Sequence, residues 1–231
     1  MWLIWASAFL VPWAFLYITN RSMRSTMIRA SLVTALFGLT EPIFVPRYWD
    51  PPSLFELARN TGFDIESLIF SFAIGGIGTV LYRALSATHL MPVASRERHV
   101  PRHRLHTLSL IAAPVAFVPL AFAPWNVIYA AIVAMALGSA LSVVCRPHLA
   151  RQTLIGGALF LILYGVFMFG LSWLAPGYIT QVWNLHALSG LLVSDIPIEE
   201  FLFGAAFGLY WSSVYEHLTW TEGAPGRRYA A

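Results

Sequence analysis

The chain contains no lysine; all 14 of its basic residues are arginines. That excludes chemistry built on an ε-amine, including the Schiff base of a seven-helix retinal protein. Its only cysteine is Cys145, so it can form neither an internal disulfide nor a CxxC or zinc-finger site. Charge of either sign is scarce, at 11% of residues against about a quarter in soluble domains. With just three aspartates there is no D-D-x-x-D or D-x-x-x-D diphosphate–metal motif, which argues against a prenyl transferase. Gly75, Gly76 and Gly78 fall inside an apolar run and not at a strand-to-helix turn, so no dinucleotide fingerprint is present.

Hydrophobic residues make up 58% of the chain and mean hydropathy is +0.68, the composition of one polytopic membrane domain. Seven apolar runs, at 2–19, 27–46, 64–85, 107–123, 125–144, 153–175 and 197–218, approach the ~20 residues needed to cross hydrocarbon. The fourth is short and carries Pro114 and Pro119. The first lacks a basic leader and a small-residue cleavage site, so it reads as a membrane helix and not as a signal peptide. Arg21, Arg24, Arg29, Arg83, Arg96, Arg98, Arg102, Arg104, Arg146, Arg151, Arg227 and Arg228 fall on one side of this arrangement, and only Arg47 and Arg59 on the other. By the positive-inside rule the N-terminus is outside and the C-terminus cytoplasmic, in the inner membrane of a cell.

Two of the apolar runs open on acids, Phe63-Asp64-Ile65-Glu66-Ser67 and Ile196-Pro197-Ile198-Glu199-Glu200. At a constant offset of 133, Ile65, Glu66, Phe70, Ala73, Gly75, Tyr82 and Leu85 match Ile198, Glu199, Phe203, Ala206, Gly208, Tyr215 and Leu218. Upstream, at an offset of 134, Pro42, Trp49, Leu54 and Leu57 match Pro176, Trp183, Leu188 and Leu191. The chain is thus expected to be a duplicated all-α membrane protein of seven helices in a 3+1+3 plan with parallel repeats. Its expected parts are a first repeat at 1–88, a basic loop and linker helix at 89–124, a second repeat at 125–220 and a cytoplasmic tail at 221–231.

On a helix, Glu66 shares a face with Phe70, Ala73 and Ile77, and Glu199 with Phe203, Ala206 and Tyr210, while glycines line the opposite faces. Small residues four apart let membrane helices approach closely. A carboxyl facing lipid has no hydrogen-bonding partner, so the glutamates are expected to face a lined interior. The plainer reading of either acidic start, taken alone, is a helix terminus stabilised by acids, with Thr61 or Asp64 as cap and Pro197 early in the last helix. Glu41, at the end of the second run, is a further member of the acidic set, and Asp195, Asn184 and His186 read as loop or wall. The basic stretch from Arg96 to His106 reads as a cytoplasmic loop touching anionic lipid. His99, His103 and His106 within it have no accompanying carboxylate cluster, so no metal site is expected there, and no nucleic-acid partner.

The segment Pro197-Ile198-Glu199-Glu200-Phe201-Leu202-Phe203 resembles the P-x-E-E-x-x-F-F signature of the heterodimeric or fused lycopene cyclases, small membrane proteins of archaea, some bacteria and fungi. Trp49-Asp50-Pro51-Pro52 is similar to that family's W-x-x-P stretch before its first acidic motif. The resemblance covers residues 40–85 and 176–218, and departs from the pattern at Asp64, Ser67 and Gly204. It implies a non-redox, proton-initiated cyclisation of lycopene-like polyene ends to β-ionone rings, with no organic cofactor. Catalysis would then fall to Glu66, Glu199, Glu200 and Glu41, and substrate contact to Phe70, Phe203, Trp49, Trp183 and Tyr210. The partners implied are a C40 polyene dissolved in the lipid bilayer and other carotenoid-pathway enzymes. Such chemistry needs an acid held protonated, a nearby base, and aromatic faces that support a cation. Cyclisation of one end only, or of another isoprenoid, stays open.

Two rival readings are a small-solute transporter with SWEET-like 3+1+3 repeats and a non-catalytic membrane subunit. A transporter of that plan would carry prolines at corresponding places in both repeats, yet Pro12 has no counterpart in 126–144. The predicted topology is testable with a cysteine placed at Val100 in a Cys145→Ser background. It should label from the cytoplasmic side, and labelling from outside alone would overturn the orientation.

Overall fold

The computed structural model describes residues 1–86, 88–98 and 100–225; His99, Arg227 and Arg228 lie outside the described residues. Six helices are long and apolar enough to cross a membrane among the described residues. They are α1 Trp2–Thr19, α2 Arg21–Phe44, α3 Ile65–Ser86, α4 His103–Ala121, α5 Val127–Cys145 and α6 Pro147–Leu174. A further helix of 22 residues, α7 Ile198–Thr219, is more polar because it carries Glu199, Glu200, Glu216 and His217, all of them buried. It lies within the bundle, against α6 and α5.

Helix ends depart from the apolar runs by several residues. The second helix begins at Arg21 and the sixth at Pro147, both ahead of the hydropathy boundary. Hydropathy registers where lipid contact starts, whereas a helix starts where its first N–H groups are satisfied or exposed to water. Arg24 shows why charge belongs in such a turn: its Nε and Nη2 donate to the carbonyls of Tyr17 and Ile18 at 2.8 and 3.1 Å, capping the end of α1. At the start of α3, Asp64 rather than Thr61 is the cap, its Oδ1 accepting the Ser67 N–H at 2.5 Å. Asn126 caps α5 in the same way, accepting the N–H of Ile128 at 3.1 Å. Pro197 is extended and stands just before α7. Pro114 and Pro119 both lie inside α4 without ending it.

Four short strands join these helices: β1 Thr88–Pro92, β2 Leu192–Val193, β3 Ile196–Pro197 and β4 Thr221–Pro225. β1 and β4 pair antiparallel, so the segment after α3 and the start of the tail form one two-stranded sheet. Sequence patterning placed them in separate loop and tail segments, since neither strand alternates in hydropathy and the pairing joins residues far apart in the chain.

α3 packs most closely on α2, and α7 on α6. Both contacts depend on a missing side chain at equivalent positions. A Cβ at Gly75 would fall 1.9 Å from Thr34 Oγ1, and one at Gly208 would fall 2.6 Å from Phe160 Cβ and 3.0 Å from Gly157 Cα.

α3 and α7 also touch each other, and two contacts near this seam join residues that the sequence offset makes counterparts. Trp49 and Trp183 form an isolated antiparallel bridge, flanked by hydrogen bonds from Asp50 N to Val182 O at 2.8 Å and from Asn184 N to Tyr48 O at 2.9 Å. Toward the other ends of α3 and α7, Arg83 pairs with Glu216, 133 positions later, and both are buried. Gln152 of α6 donates to the same carboxylate. Removing one partner of a buried ion pair costs about 3–5 kcal/mol. Glu216→Gln should therefore lower the unfolding temperature of the detergent-solubilised protein clearly, while the exchange Arg83→Glu with Glu216→Arg should recover part of the loss. Equal stability of Glu216→Gln and the parent would show that the pair contributes nothing.

Candidate active site

Four carboxyl groups that share one end of the bundle are almost completely withdrawn from solvent: relative exposure is 6% for Glu41, 1% for Glu66, 0% for Glu199 and 3% for Glu200. No ion pair joins any of the four to a cation among the described residues. Their hydrogen bonds must come from neutral donors, and each carboxyl solves this differently.

Glu66 and Glu199 occupy the second position of α3 and α7. In both, Oε1 is tethered by a backbone N–H of the loop that precedes its helix: Leu54 N at 2.7 Å for Glu66, and Ser189 N at 2.9 Å for Glu199. The Tyr129 hydroxyl, from α5, adds a 2.5 Å bond to Glu199 Oε1. The loop before α3 reaches this position through left-handed backbone at Phe55 and Glu56, both at φ 54°. Oε2 of both glutamates is buried with no hydrogen-bond partner.

Glu200, the next residue, turns to another side and is saturated. Tyr48 donates to its Oε1, Trp183 Nε1 donates to the same oxygen at 2.6 Å, and the Tyr164 hydroxyl donates to Oε2 at 2.5 Å. Burial first, and then the neighbouring Glu200 charge, push the Tyr48 phenol well above its ordinary range, which keeps it a donor. Tyr178 is pushed up to about 12, by burial and then by Glu66.

In the first unit Ser67 stands where the second has Glu200. A second carboxyl nevertheless arrives there from α2: Glu41 lies beside Ser67 and within electrostatic reach of Asp64 and Glu66. Its Oε1 is buried and unpartnered.

A closed circuit of rings joins the two acidic groups. Trp2 meets Trp49 at 4.5 Å between centroids and Phe70 at 5.6 Å. Trp49 meets Trp183 at 5.3 Å. Phe70 meets Phe9 at 5.4 Å, and Phe9 stacks over Tyr164 at 6.0 Å. Glu200 closes the circuit by binding Trp183 and Tyr164 together. Phe203 packs on Tyr164 at 5.8 Å. Residues this far withdrawn from solvent sit in packed surroundings.

The fold thus brings together Glu41, Glu66, Glu199, Glu200, Trp49, Trp183, Phe70 and Phe203. Tyr210 is not among them. It packs in the seam of α4, α5 and α7, against Gly138 and Trp211, because eleven residues of helix carry it far along the bundle. Asp195 accepts the Ser172 hydroxyl and Asn184 donates to the Arg47 carbonyl at 3.3 Å, both loop roles. Tyr48, Tyr129 and Tyr164 escaped sequence reasoning. They have no tyrosine counterpart at the repeat offset; Tyr129 and Tyr164 show only a phenol tip in an otherwise apolar run, and Tyr48 lies in the loop between Arg47 and Trp49.

Residues 126–218 match the family model described as lycopene cyclase, a stretch that runs from the cap of α5 to the end of α7. No curated protein and no solved structure gives a significant match. The matched stretch contains Glu199 and Glu200 together with Tyr129, Tyr164 and Trp183, which hold them, and over this stretch the chain is similar to the lycopene cyclase family.

Proposed function

We propose that this protein cyclises the ends of a lycopene-like polyene to β-ionone rings inside the membrane, with Glu66 and Glu199 as the proton-handling groups. The family supports a lycopene cyclase role and an isoprenoid polyene substrate. The observation that carries the assignment of residues is the pair of orphan Oε2 atoms, one at each helix start. Leaving a buried carboxyl oxygen unpaired costs about 1–3 kcal/mol, and the cost recurs at two positions related by the repeat. An alkene carbon is not a hydrogen-bond acceptor, so an acid that protonates one keeps its O–H uncommitted in the resting site. Tethering of Oε1 by a backbone N–H fixes the direction in which Oε2 points.

The reaction is an isomerisation. A carboxylic O–H gives its proton to the terminal double bond, leaving a carboxylate and a tertiary cation. The internal double bond attacks that cation and closes the ring. A ring C–H then gives its proton to a carboxylate, and no electrons are gained or lost. Glu200 is locked by three donors and serves best as the fixed charge that holds Trp183, Tyr48 and Tyr164 in place. The faces of Trp49, Trp183, Phe70 and Phe203 supply π density to the cation and keep water away from it. Glu41 supplies the first unit with the second carboxyl that Ser67 lacks. The polyene enters by displacing rings of the closed circuit, which the packing around the carboxyls requires.

The fold reading that accompanies this is seven spans, α1–α3 and α5–α7 as parallel repeats with α4 between them. The N-terminus and both glutamates lie on the non-cytoplasmic side of the inner membrane. The Trp49–Trp183 and Arg83–Glu216 contacts between counterpart positions support a pseudo-twofold axis along the membrane normal.

The test is expression in a lycopene-accumulating bacterium with separation of the pigments. The parent should yield monocyclic or bicyclic carotenes. Glu199→Gln, which keeps shape but removes proton transfer, should lower the rate at least ~10²-fold at normal membrane expression. Glu66→Gln should do the same or stop the reaction at one ring. Full cyclisation by the Glu66→Gln, Glu199→Gln double variant would reduce both glutamates to helix-start residues and end the proposal.

A further inference from the structure

We infer that the cytoplasmic end of the bundle holds a transition-metal site built from His103, His106 and Cys145, with His217 packed on His106 beside them. Sequence spacing gave no reason to expect it, because the histidines of the basic loop have no carboxylate cluster near them. The fold supplies softer donors from elsewhere in the chain. One ligand atom from each of His103, His106 and Cys145 lies within 4.8 Å of the others, and His103 Nδ1 is 3.4 Å from Cys145 Sγ. Donors bound to zinc at about 2.0–2.3 Å in a tetrahedron stand roughly 3.3–3.8 Å apart, so small side-chain adjustments bring this trio into range.

His217 provides the independent observation. It is fully buried, and its ring lies flat on that of His106 with centroids 4.4 Å apart. Its Nε2 is 2.8 Å from Ser109 Oγ, and the Ser109 hydroxyl donates its hydrogen to the His106 carbonyl at 2.9 Å. Ser109 can then only accept from His217, so Nε2 carries the ring proton and the neutral ring has its lone pair on Nδ1. That Nδ1 is buried and unpartnered, as is Nδ1 of His106. A histidine oriented through one nitrogen by a hydrogen bond, with the other bare, has the arrangement that metal ligation requires.

The nearby Arg146 guanidinium, which acts electrostatically on His106 and His217, has hydrogen-bonding partners of its own. Arg146 donates to the carbonyls of Glu216 and Thr221 at 3.0 and 2.9 Å, and faces His148 and Glu222. Imidazole and thiolate donors select zinc or copper over magnesium or calcium. His217 lies 18 residues beyond Glu199 on α7, about 27 Å away along the helix axis. The site is therefore separate from the carboxyl groups and suits a structural role. It ties the start of α4 to the ends of α5 and α7.

Cobalt(II) is the probe, titrated into the full chain in detergent after chelator treatment under reducing conditions. The expected result is about one ion per chain, the visible absorption of a tetrahedral complex, a thiolate-to-cobalt charge-transfer band in the near ultraviolet, and displacement by Zn²⁺. Cys145→Ser should abolish the charge-transfer band, and His217→Ala should weaken binding at least about tenfold. If Cys145→Ser does not yield folded protein, His103→Gln serves in its place and should lose the tetrahedral spectrum. The inference is overturned by the octahedral spectrum of the hydrated ion, by a band that survives these substitutions, or by binding without a thiolate band.

Discussion

A carboxyl group taken out of water inside an apolar bundle must find its hydrogen bonds among whatever donors the fold brings to it, and the architecture at one end of this protein follows from that demand. No cation pairs with these carboxyls among the described residues. Glu200 obtains two phenols and an indole from three separate segments. Satisfying it fixes the positions of Tyr48, Tyr164 and Trp183, and with them the wall that joins the two halves. Glu66 and Glu199 are held only partly, through one oxygen, and the other oxygen is left for chemistry. A glutamate with both oxygens bonded thus stands beside one with a single oxygen bonded.

The same duplicated plan is used differently at the two ends of the bundle. At the carboxyl end, counterpart residues of like kind meet, Trp49 against Trp183, with their rings in tilted contact. At the other end, counterpart positions carry opposite charges, Arg83 against Glu216. Identical residues there would set two like charges against each other in a dry interior, which is far more costly than any packing gain. Positions related by the sequence offset thus carry like residues in one contact and opposite charges in the other.

Ser67 marks another difference between the two halves. Ser67 follows Glu66 where Glu200 follows Glu199, and Glu41 of α2 lies beside Ser67. That glutamate comes to the site from a different backbone direction, so the two halves present similar chemistry with different geometry.

Much of this was legible in the linear chain. Apolar runs of similar length, arginine concentrated in alternate loops, and acids recurring at one offset follow from the cost of polar groups in hydrocarbon, which acts residue by residue. Glycine faces were equally readable, because close helix approach forbids a side chain. What remained hidden depends on distance in space. Tyr210 shares a helical face with Glu199 but lies too far along the axis to reach it. Tyr48, Tyr129 and Tyr164 carry no repeat signature and become donors only when three loops and helices converge. Cys145 and His217 lie 42 and 114 positions beyond His103, and their lone pairs meet the basic loop only once α4, α5 and α7 are packed. Periodicity and hydropathy report how each segment meets its solvent, whereas a hydrogen-bond network is a property of which segments meet each other.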